Sequence, residues 1–378
     1  MGFVAAQSVN EGIHAQMENR MRSDKPPQTS IARRRQRVVE REPRASRRTV
    51  ATSYDVALLA GVSQSAVSRC FRPDASISDK MRARVLKAAE TLGYSPDAIA
   101  RSLSTRRSNL VGVIISNLTN LYYPEVMSEF NARLADHGVH ALLFTIQNES
   151  DVDRILSQVW QYRLDGVIAA ARLGADDVRE FENRRVPLVF YNRYLRERSV
   201  NAVCCDQIES ARAIVDRLVA TGHRRFAIVS GPQDSVVGAE RVDGCVERLR
   251  HHGIDAVTVV RGDYTYRGGR AAFSEILASS RDRPDAVVCS SDAMALGCID
   301  AARFDVKLEV PREVSIVGFD GVEPGSWASY DLATVRQPVH DMAAAAVDLL
   351  LACVADQERA PEKRVFSGTL VPGSSARF

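Results

Sequence analysis

The chain has 378 residues, of which 45% are hydrophobic, so it can bury a large core and is neither collagen-like nor wholly disordered. This length predicts two or three domains. The net charge of +3 conceals an asymmetry, because residues 1–110 contain 20 basic and 10 acidic side chains whereas the remainder has a charge of −7. A basic amino-terminal part of this kind predicts contact with a polyanion.

The first 20 residues lack the charged and apolar regions of a signal peptide, and no run of 18 apolar residues occurs, so we expect a cytoplasmic protein without a membrane span. The seven cysteines are odd in number and show no CxxC spacing, which favours reduced core thiols over disulfides or a metal site. The adjacent Cys204 and Cys205 are expected to pack on opposite faces of one strand, with oxidant sensing as the alternative.

Residues 1–48 are polar and rich in arginine, which predicts a disordered basic leader. Such a leader either adds non-specific affinity for a polyanion or is a solvated tail without a partner. Short helical patterns follow within residues 50–94. Thr52 and Asp55 resemble a capping box, Gly61 is a stop signal, and Ser63 caps the next helix.

Ser78 is expected to cap a third helix with one apolar stripe, formed by Met81, Val85, Ala89 and Leu92. Three short helices with a tight glycine-containing corner between the first two are typical of a helix-turn-helix DNA-binding domain, which we place at residues 50–94. Residues 95–109 are predicted to form a short helix, with Pro96 in its first turn, and a linker.

Beyond this linker, nine apolar strand-like segments alternate with helical patterns, at 110–115, 141–146, 166–170, 188–191, 202–205, 226–230, 257–260, 286–289 and 314–319. Continuous apolar strands separated by helices indicate parallel α/β sheets. Because about 270 residues is long for one such domain, we expect residues 110–378 to form a core of two α/β lobes.

Motifs for bond-making chemistry are missing from the sequence. There is no G-x-G-x-x-G, Walker loop, G-x-S-x-G or H-E-x-x-H pattern, and the seven histidines form no metal-ligand spacing. We therefore expect a protein that is not an enzyme, with no cofactor and no metal.

The second predicted helix has a short polar face. Since Ala66 and Val67 are expected to point inward, Gln64, Ser65, Ser68 and Arg69 project outward on one side. Arg bonds guanine and Gln bonds adenine in the major groove. Basic neighbours are expected to bind phosphates, namely Arg72, Lys80, Arg82, Arg84 and Lys87. The alternative is a merely solvated face.

Residues 52–103 resemble the DNA-binding headpiece of the LacI/GalR family of bacterial transcriptional repressors. The shared pattern is D-V-A-x-x-A-G-V-S-x-x-x-V-S-R, followed by L-G-Y-x-P and A-R-x-L. The resemblance continues through LDGVI, ATGHRRFAIVSGP, SSDAMALG, VPREVSIVGFDG and LATVRQP, so it covers about 50–378. It implies a periplasmic-binding-protein-like core whose effector, a sugar or a sugar derivative, binds between two lobes and sets the affinity for DNA.

The resemblance also assigns residues to DNA contacts. Gln64, Ser65 and Arg69 correspond to the principal base readers, and Ser68 and Ser53 to positions that contact the backbone. Ala100, Arg101 and Leu103 match the hinge helix, whose Leu wedges into the minor groove and kinks the operator. Two departures predict an unusual operator: Ala66 replaces the usual Thr, and Asp97 replaces a common Asn.

Ligands of two-lobed α/β proteins bind at the carboxyl ends of strands. Residues that follow the predicted strands also match effector-contacting positions of the family, and we expect effector contacts from Asn120, Tyr122, Tyr123, Asn192, Arg193, Arg241, Tyr264, Ser291, Asp292 and Asp320. Gly321 stands where the family's G-F-D-D has its second Asp. Arg193 and Arg241 raise the hypothesis of an anionic effector, such as a sugar acid or sugar phosphate.

The sequence thus favours a homodimeric, effector-controlled repressor of a palindromic operator in double-stranded DNA. The absence of a heptad tail favours a dimer over a tetramer. Two other protein classes fit the sequence less well. A solute-binding protein of a transporter is disfavoured by the missing signal peptide and the helix-turn-helix, and a sugar-metabolising enzyme by the absent catalytic motifs.

Overall fold

The computed structural model describes residues 51–71, 75–95, 107–116, 120–146, 151–233, 235–279 and 282–378. The chain divides into two compact units, Met1–Tyr94 and Ser95–Phe378. The predicted leader and the predicted hinge residues Asp97, Ala100, Arg101 and Leu103 lie outside the described residues.

The described part of the first unit is helical, with α1 (Ser53–Ala60), α2 (Gln64–Cys70) and α3 (Asp79–Leu92). The predicted capping box at α1 is confirmed. The backbone N–H of Thr52 donates to Asp55 Oδ2 at 2.8 Å, and the Asp55 N–H donates to Thr52 Oγ1 at 3.4 Å. Hydrogen bonds from Thr52 lower the pKa of Asp55. Gly61 ends α1 with a φ of 62°, a left-handed conformation that makes the tight corner possible.

One small apolar core joins the three helices, formed by Val56, Ala57, Ala60, Val67, Cys70, Val85, Ala88 and Ala89. The predicted stripe of α3 is wrong at Leu92, whose surface is 36% exposed. The chain turns back at Gly93, and the Tyr94 N–H donates to the Ala89 carbonyl at 2.8 Å. Tyr94 therefore packs against the core at the end of the helix, where Leu92 was expected.

The second unit contains two lobes, each built on a six-stranded sheet. The first lobe contains β1 (Leu110–Ser116), β2 (His140–Ile146), β3 (Gly166–Ala170), β4 (Leu188–Tyr191), β5 (Ala202–Cys205) and β11 (Lys363–Phe366), in the order β11-β5-β4-β3-β1-β2. All of its neighbouring strands pair in parallel. Its helices are α4 (Tyr123–Asp136), α5 (Val152–Val159), α6 (Ala175–Asn183) and α11 (Val339–Ala355).

The second lobe repeats this plan. Its strands are β6 (Phe226–Ser230), β7 (Val257–Arg261), β8 (Ala286–Cys289), β9 (Ser315–Asp320), β10 (Ala333–Arg336) and β12 (Thr369–Val371), in the order β12-β10-β9-β8-β6-β7. Its helices are α7 (Gln207–Ala220), α8 (Val236–His251), α9 (Tyr266–Ser279) and α10 (Asp292–Asp300), which a π-helical turn, Ala301–Asp305, extends.

The nine predicted strands are confirmed, with bounds that shift by at most one residue at either end. Three further strands, β10, β11 and β12, were not predicted, because polar side chains interrupt β10 and β11, and β12 has only three residues. The predicted parallel sheets are confirmed, and one edge pair of the second lobe is the exception. There β12 runs antiparallel to β10, because the chain returns from β11 in the other lobe along the outside of the sheet.

Helices cover both faces of each sheet and bury a separate apolar core on each face. The chain passes between the lobes after β5, after β10 and between β11 and β12. No helix in the part of the chain that the structure describes is long and apolar enough to cross a membrane.

Cys204 and Cys205 lie on opposite faces of β5, as predicted, and each belongs to a different core of the first lobe. Burial raises the pKa of each thiol to about 11. Because a rise of one pKa unit lowers the thiolate fraction about tenfold below the pKa, we expect both thiols to be unreactive in the native protein. Labelling with a thiol reagent at pH 8, followed by peptide mass spectrometry, should modify them about 100-fold more slowly than in urea-unfolded protein. Equal rates would contradict this.

Candidate functional site

The exposed face of α2 is the first candidate site. Ala66 and Val67 are buried, whereas Gln64, Ser65, Ser68 and Arg69 are exposed, so the predicted inward and outward faces are confirmed. Ser63 caps the helix by accepting from the Ala66 N–H at 3.2 Å. The Gln64 Nε2 donates to Ser53 Oγ at 3.3 Å, which joins the first residue of α2 to the first residue of α1.

The basic side chains near α2 are not equivalent. Arg82 donates from Nη1 to the Cys70 carbonyl at 2.9 Å and from Nη2 to the Ala75 carbonyl at 3.3 Å. It therefore fastens the end of α2 to α3, and its guanidinium is engaged in the fold, contrary to its predicted place among the phosphate binders. Lys80, Arg84 and Lys87 are exposed, and Arg72 lies outside the described residues.

The second candidate site lies between the two lobes, where strands of both sheets end. On the side of the first lobe, the hydroxyls of Tyr122 and Tyr191 are 3.1 Å apart, and Asn192 Nδ2 donates to the Tyr122 hydroxyl at 3.1 Å. The Asn192 Oδ1 accepts from the Cys205 N–H at 3.0 Å, which fixes the amide in this orientation. Burial raises the pKa of Tyr122 and of Tyr191 far above the usual range, so both hydroxyls stay protonated.

On the side of the second lobe, Arg241 is buried, with 3% of its surface exposed. Each of its three guanidinium nitrogens donates a hydrogen bond. Its Nη2 donates to Asp320 Oδ1 at 3.0 Å, its Nη1 to the Ser290 carbonyl at 2.7 Å, and its Nε to Gln207 Oε1 at 2.8 Å. The guanidinium also lies 4.5 Å from the ring centre of Phe319. Asp320 thus neutralises the charge of Arg241 within the protein.

Gln337 connects the two sides. Its Oε1 accepts from Asn192 Nδ2 at 2.7 Å, and its Nε2 donates to Asp320 Oδ1 at 2.9 Å. A continuous hydrogen-bonded chain therefore runs from Tyr122 in the first lobe to Arg241 in the second. Gln337, Gln207 and Tyr191 were not predicted. Gln207 and Gln337 follow strand ends, although the strand before Gln337 was itself missed, and Gln337 lies within the LATVRQP segment that resembles the family.

Asp292 and Ser291 have structural partners. The Asp292 Oδ2 accepts from the backbone N–H groups of Gly321 and Val322 at 2.7 and 2.8 Å, and Oδ1 accepts from the Thr334 hydroxyl at 2.5 Å. Burial and the nearby Asp320 carboxylate raise the pKa of Asp292 above its usual range. Ser291 caps α10. At Gly321, with a φ of 75°, a Cβ would lie 2.6 Å from the side chain of Arg336, so a larger residue would require Arg336 to shift.

Four other predicted residues lie around this centre. The Asn120 Oδ1 accepts from the Tyr122 N–H at 3.1 Å, and the Tyr123 hydroxyl donates to the Ala170 carbonyl at 3.1 Å. The Tyr264 hydroxyl is 2.7 Å from Ser235 Oγ. Arg193 is half-buried and donates from Nη1 to the Asn192 carbonyl at 2.7 Å.

The backbone is unusual at three of these positions. Asn192, Tyr264 and Asp320 have φ values of 49°, 64° and 118°, in the left-handed region that favours glycine. Such conformations concentrate at binding and catalytic sites, where the surrounding fold maintains them.

Among the described residues, no three His, Cys, Asp or Glu side chains come together as a metal site. The arrangement offers hydrogen-bond donors and acceptors for a polar ligand.

Comparisons with known proteins identify both parts of the chain. Residues 52–97 match the lacI family of bacterial regulatory proteins, and residues 215–376 match a periplasmic binding protein-like domain. The HTH-type transcriptional repressor CytR of Escherichia coli K12 is 30% identical over 333 residues, which is 87% of this chain and 97% of that protein. Catabolite control protein A of Priestia megaterium is 31% identical over 304 residues, covering 79% of this chain and 91% of the relative.

Solved structures of bacterial transcriptional regulators are similar to this chain as well. The lac repressor dimer bound to operator and the anti-inducer ONPF is 26% identical, with a TM-score of 0.77 over 86% of this chain and 99% of that one. The complex of the transcriptional regulator CelR with cellobiose is 30% identical, with a TM-score of 0.66 over the same shares of the two chains. With its helix-turn-helix headpiece and its two-lobed parallel α/β core, this chain belongs to the LacI family of DNA-binding transcriptional repressors.

Proposed function

We propose that the protein is a homodimeric repressor whose affinity for a palindromic operator is set by a small-molecule effector of the sugar class, and that it acts in the cytoplasm. Residues 1–48 form a basic leader, 50–94 the DNA-binding domain, 95–109 the hinge and linker, and 110–378 the effector-binding and dimerisation core. The observation that carries this proposal is the exposed polar face of α2, which opposes its buried apolar face.

The DNA contacts follow from this face. Gln64, Ser65 and Arg69 read base edges in the major groove, and Ser53 and Ser68 position the backbone. The hydrogen bond between Gln64 and Ser53 supports this division, since it presents both polar side chains at the same end of α2. One seven-residue helix spans few base pairs, so two-fold symmetry is needed for a longer site.

A gel-shift assay tests the DNA-binding function. The full chain is mixed with palindromic duplexes from the region around its own gene, at moderate salt, against scrambled duplexes of the same composition. We expect retention of at least one palindrome at concentrations that leave the scrambled duplex free. Equal binding of every duplex, or none, would overturn the proposal.

Ala100, Arg101 and Leu103 form the hinge in this proposal, and Leu103 wedges between base pairs at the operator centre. Replacing Leu103 with Ala removes the apolar wedge, so we expect a smaller bend of the bound duplex, measured by circular-permutation electrophoresis. The variant Ser102→Ala, at the adjacent position, serves as the control. An unchanged bend in Leu103→Ala would refute the wedge.

The effector is proposed to bind among Asn120, Tyr122, Tyr123, Asn192, Arg193, Arg241, Tyr264, Ser291, Asp292 and Asp320, with Gln337 and Gln207 added from the structure. Among the described residues, the buried Gln207 Nε2 is a side-chain polar atom without a hydrogen-bond partner. An unpaired buried donor is costly, and a ligand acceptor would satisfy it. A ligand that replaces the hydrogen bonds of Gln337 would change how the lobes are joined. Through this change, effector binding would be transmitted to the DNA-binding domain.

The charge preference of the cleft rests on Arg193. Asp320 already compensates Arg241, so the two arginines together do not amount to two free positive charges. A sugar acid or sugar phosphate would pair with Arg193, whereas a neutral sugar would bond the amides and tyrosines. Calorimetry with matched pairs, such as glucose and gluconate, decides between them. Tight binding of neutral sugars alone would exclude the anionic hypothesis.

A further inference from the structure

The first lobe has a second concave site, at the amino ends of its strands. This groove, of about 460 Å³, is lined by Arg107, Trp160, Tyr162, Arg163, Arg184 and Arg185. Arg107 precedes β1, Arg163 precedes β3, and Arg185 precedes β4. Because the effector cleft lies at the carboxyl ends of the same strands, one strand length of about 17–23 Å separates the two sites.

The groove is strongly basic in a core whose sequence is acidic. Four arginines line it, against one carboxylate, Asp165. That carboxylate faces the protein, since it accepts from the backbone N–H groups of Ser108 and Asn109, each at 2.8 Å. It fastens the chain where it enters the lobe and leaves the outer surface of the groove positive.

Two of the arginines are available to a ligand. Arg163 and Arg185 are exposed, and neither side chain has an ion pair among the described residues. Arg184 shares its charge with Glu180 at 2.8 Å and lies 4.6 Å above the ring of Trp160. Arg185 has a φ of 53°, which the fold maintains at the end of α6 although the residue is not glycine.

The position of the groove in the chain indicates its occupant. Arg107 follows Leu103, the proposed minor-groove wedge, by four residues, a distance of at most about 14 Å in an extended chain. A duplex held by the hinge therefore passes close to this surface. Guanidinium groups form bidentate hydrogen bonds with phosphate oxygens, and such contacts do not depend on the base sequence.

We propose that this groove binds backbone phosphates of the operator duplex through Arg163 and Arg185, so that the core itself contributes sequence-independent affinity. This inference rests on the proposed function, because it needs a duplex held by the hinge. The phosphate could also come from a free anion, and the experiment separates these two sources.

The test is the salt dependence of DNA binding by the full chain with Arg163→Gln and Arg185→Gln combined. The slope of log K against log salt is negative, and each lost phosphate contact reduces its magnitude by about 0.9. We therefore expect the magnitude to fall by about 2 per subunit, equally for the operator and for scrambled duplexes. The control combines Arg217→Gln and Arg250→Gln, two exposed arginines of the second lobe with the same loss of charge. We expect this control to keep the wild-type slope.

The outcomes are distinct. An unchanged slope in the groove variant, with an unchanged thermal melt, overturns the inference. An equal decrease in both variants also overturns it, because a general loss of charge would then explain the effect. The groove could also bind inorganic phosphate in calorimetry while its variant leaves DNA binding unchanged. That result would identify a site for free anions and would overturn the inference as well. A wild-type protein that binds scrambled duplexes but prefers no palindrome contradicts the proposed function, while the salt slope still tests the groove.

Discussion

Replacing Arg69 with Ala is expected to weaken binding to the specific operator by about 1–3 kcal/mol, while binding to scrambled DNA persists. Arg69 is exposed on α2, next to the buried Cys70 and one residue beyond Ser68. Arg69 is the one basic residue of α2, and its long side chain can form two hydrogen bonds with a guanine edge. Titrations of both duplexes at one salt concentration measure the difference between specific and non-specific affinity.

The matched control is Arg84→Ala. Arg84 is exposed on α3, and its replacement removes the same charge from the headpiece. A phosphate contact there would weaken operator and scrambled DNA equally. Loss of preference for the operator only in Arg69→Ala would assign base reading to Arg69. Equal losses for both duplexes in both variants would contradict that role.

The second large effect is expected at the buried ion pair of the cleft. Arg241→Met leaves the Asp320 carboxylate buried without its guanidinium partner, and the free energy of unfolding of the core should fall by about 3–5 kcal/mol. Arg241 and Asp320 expose only 3% and 5% of their side-chain surface, so water cannot replace the lost partner. Urea denaturation followed by circular dichroism measures the change.

A double variant separates the unpaired charge from the lost packing. Arg241→Met combined with Asp320→Asn removes both charges of this pair, and Asn tolerates the φ of 118° at this position better than an aliphatic residue does. We expect the double variant to be more stable than Arg241→Met alone. An exposed pair serves as the comparison, because Arg312→Met breaks a surface contact with Glu309 and should cost about 1 kcal/mol or less. Equal costs at the two sites would contradict the described burial.

Local patterns in the sequence predicted much of the fold. The capping box at Thr52, the corner at Gly61 and the two faces of α2 depend on residues within a few positions of one another, so periodicity and cap chemistry were sufficient. The nine predicted strands were equally visible, because strands covered by helices on both faces are continuous apolar runs. The short strands β10, β11 and β12 have no such signature, since their pairing partners determine them.

The cleft shows the limit of this reasoning. Position after a strand and the resemblance to the family together selected Asn192, Arg241 and Asp320, but they did not indicate which of these residues bond one another. Gln337 lies 145 residues from Asn192 in the chain, yet its amide is 2.7 Å away. Burial favours a hydrogen-bond partner for each polar atom of these side chains, and only the packing of two lobes decides which partner is near.

What the sequence by itself determined is the family, the architecture and the surface that is expected to read DNA, because these depend on local periodicity and on contiguous motifs. Only the tertiary structure decided that Arg241 is neutralised by Asp320, that Asp292 holds the turn at Gly321, and that arginines from three distant segments of the chain line one groove. The reason is physical: a charge acts through its distance and its exposure to water, and both arise when remote segments pack together.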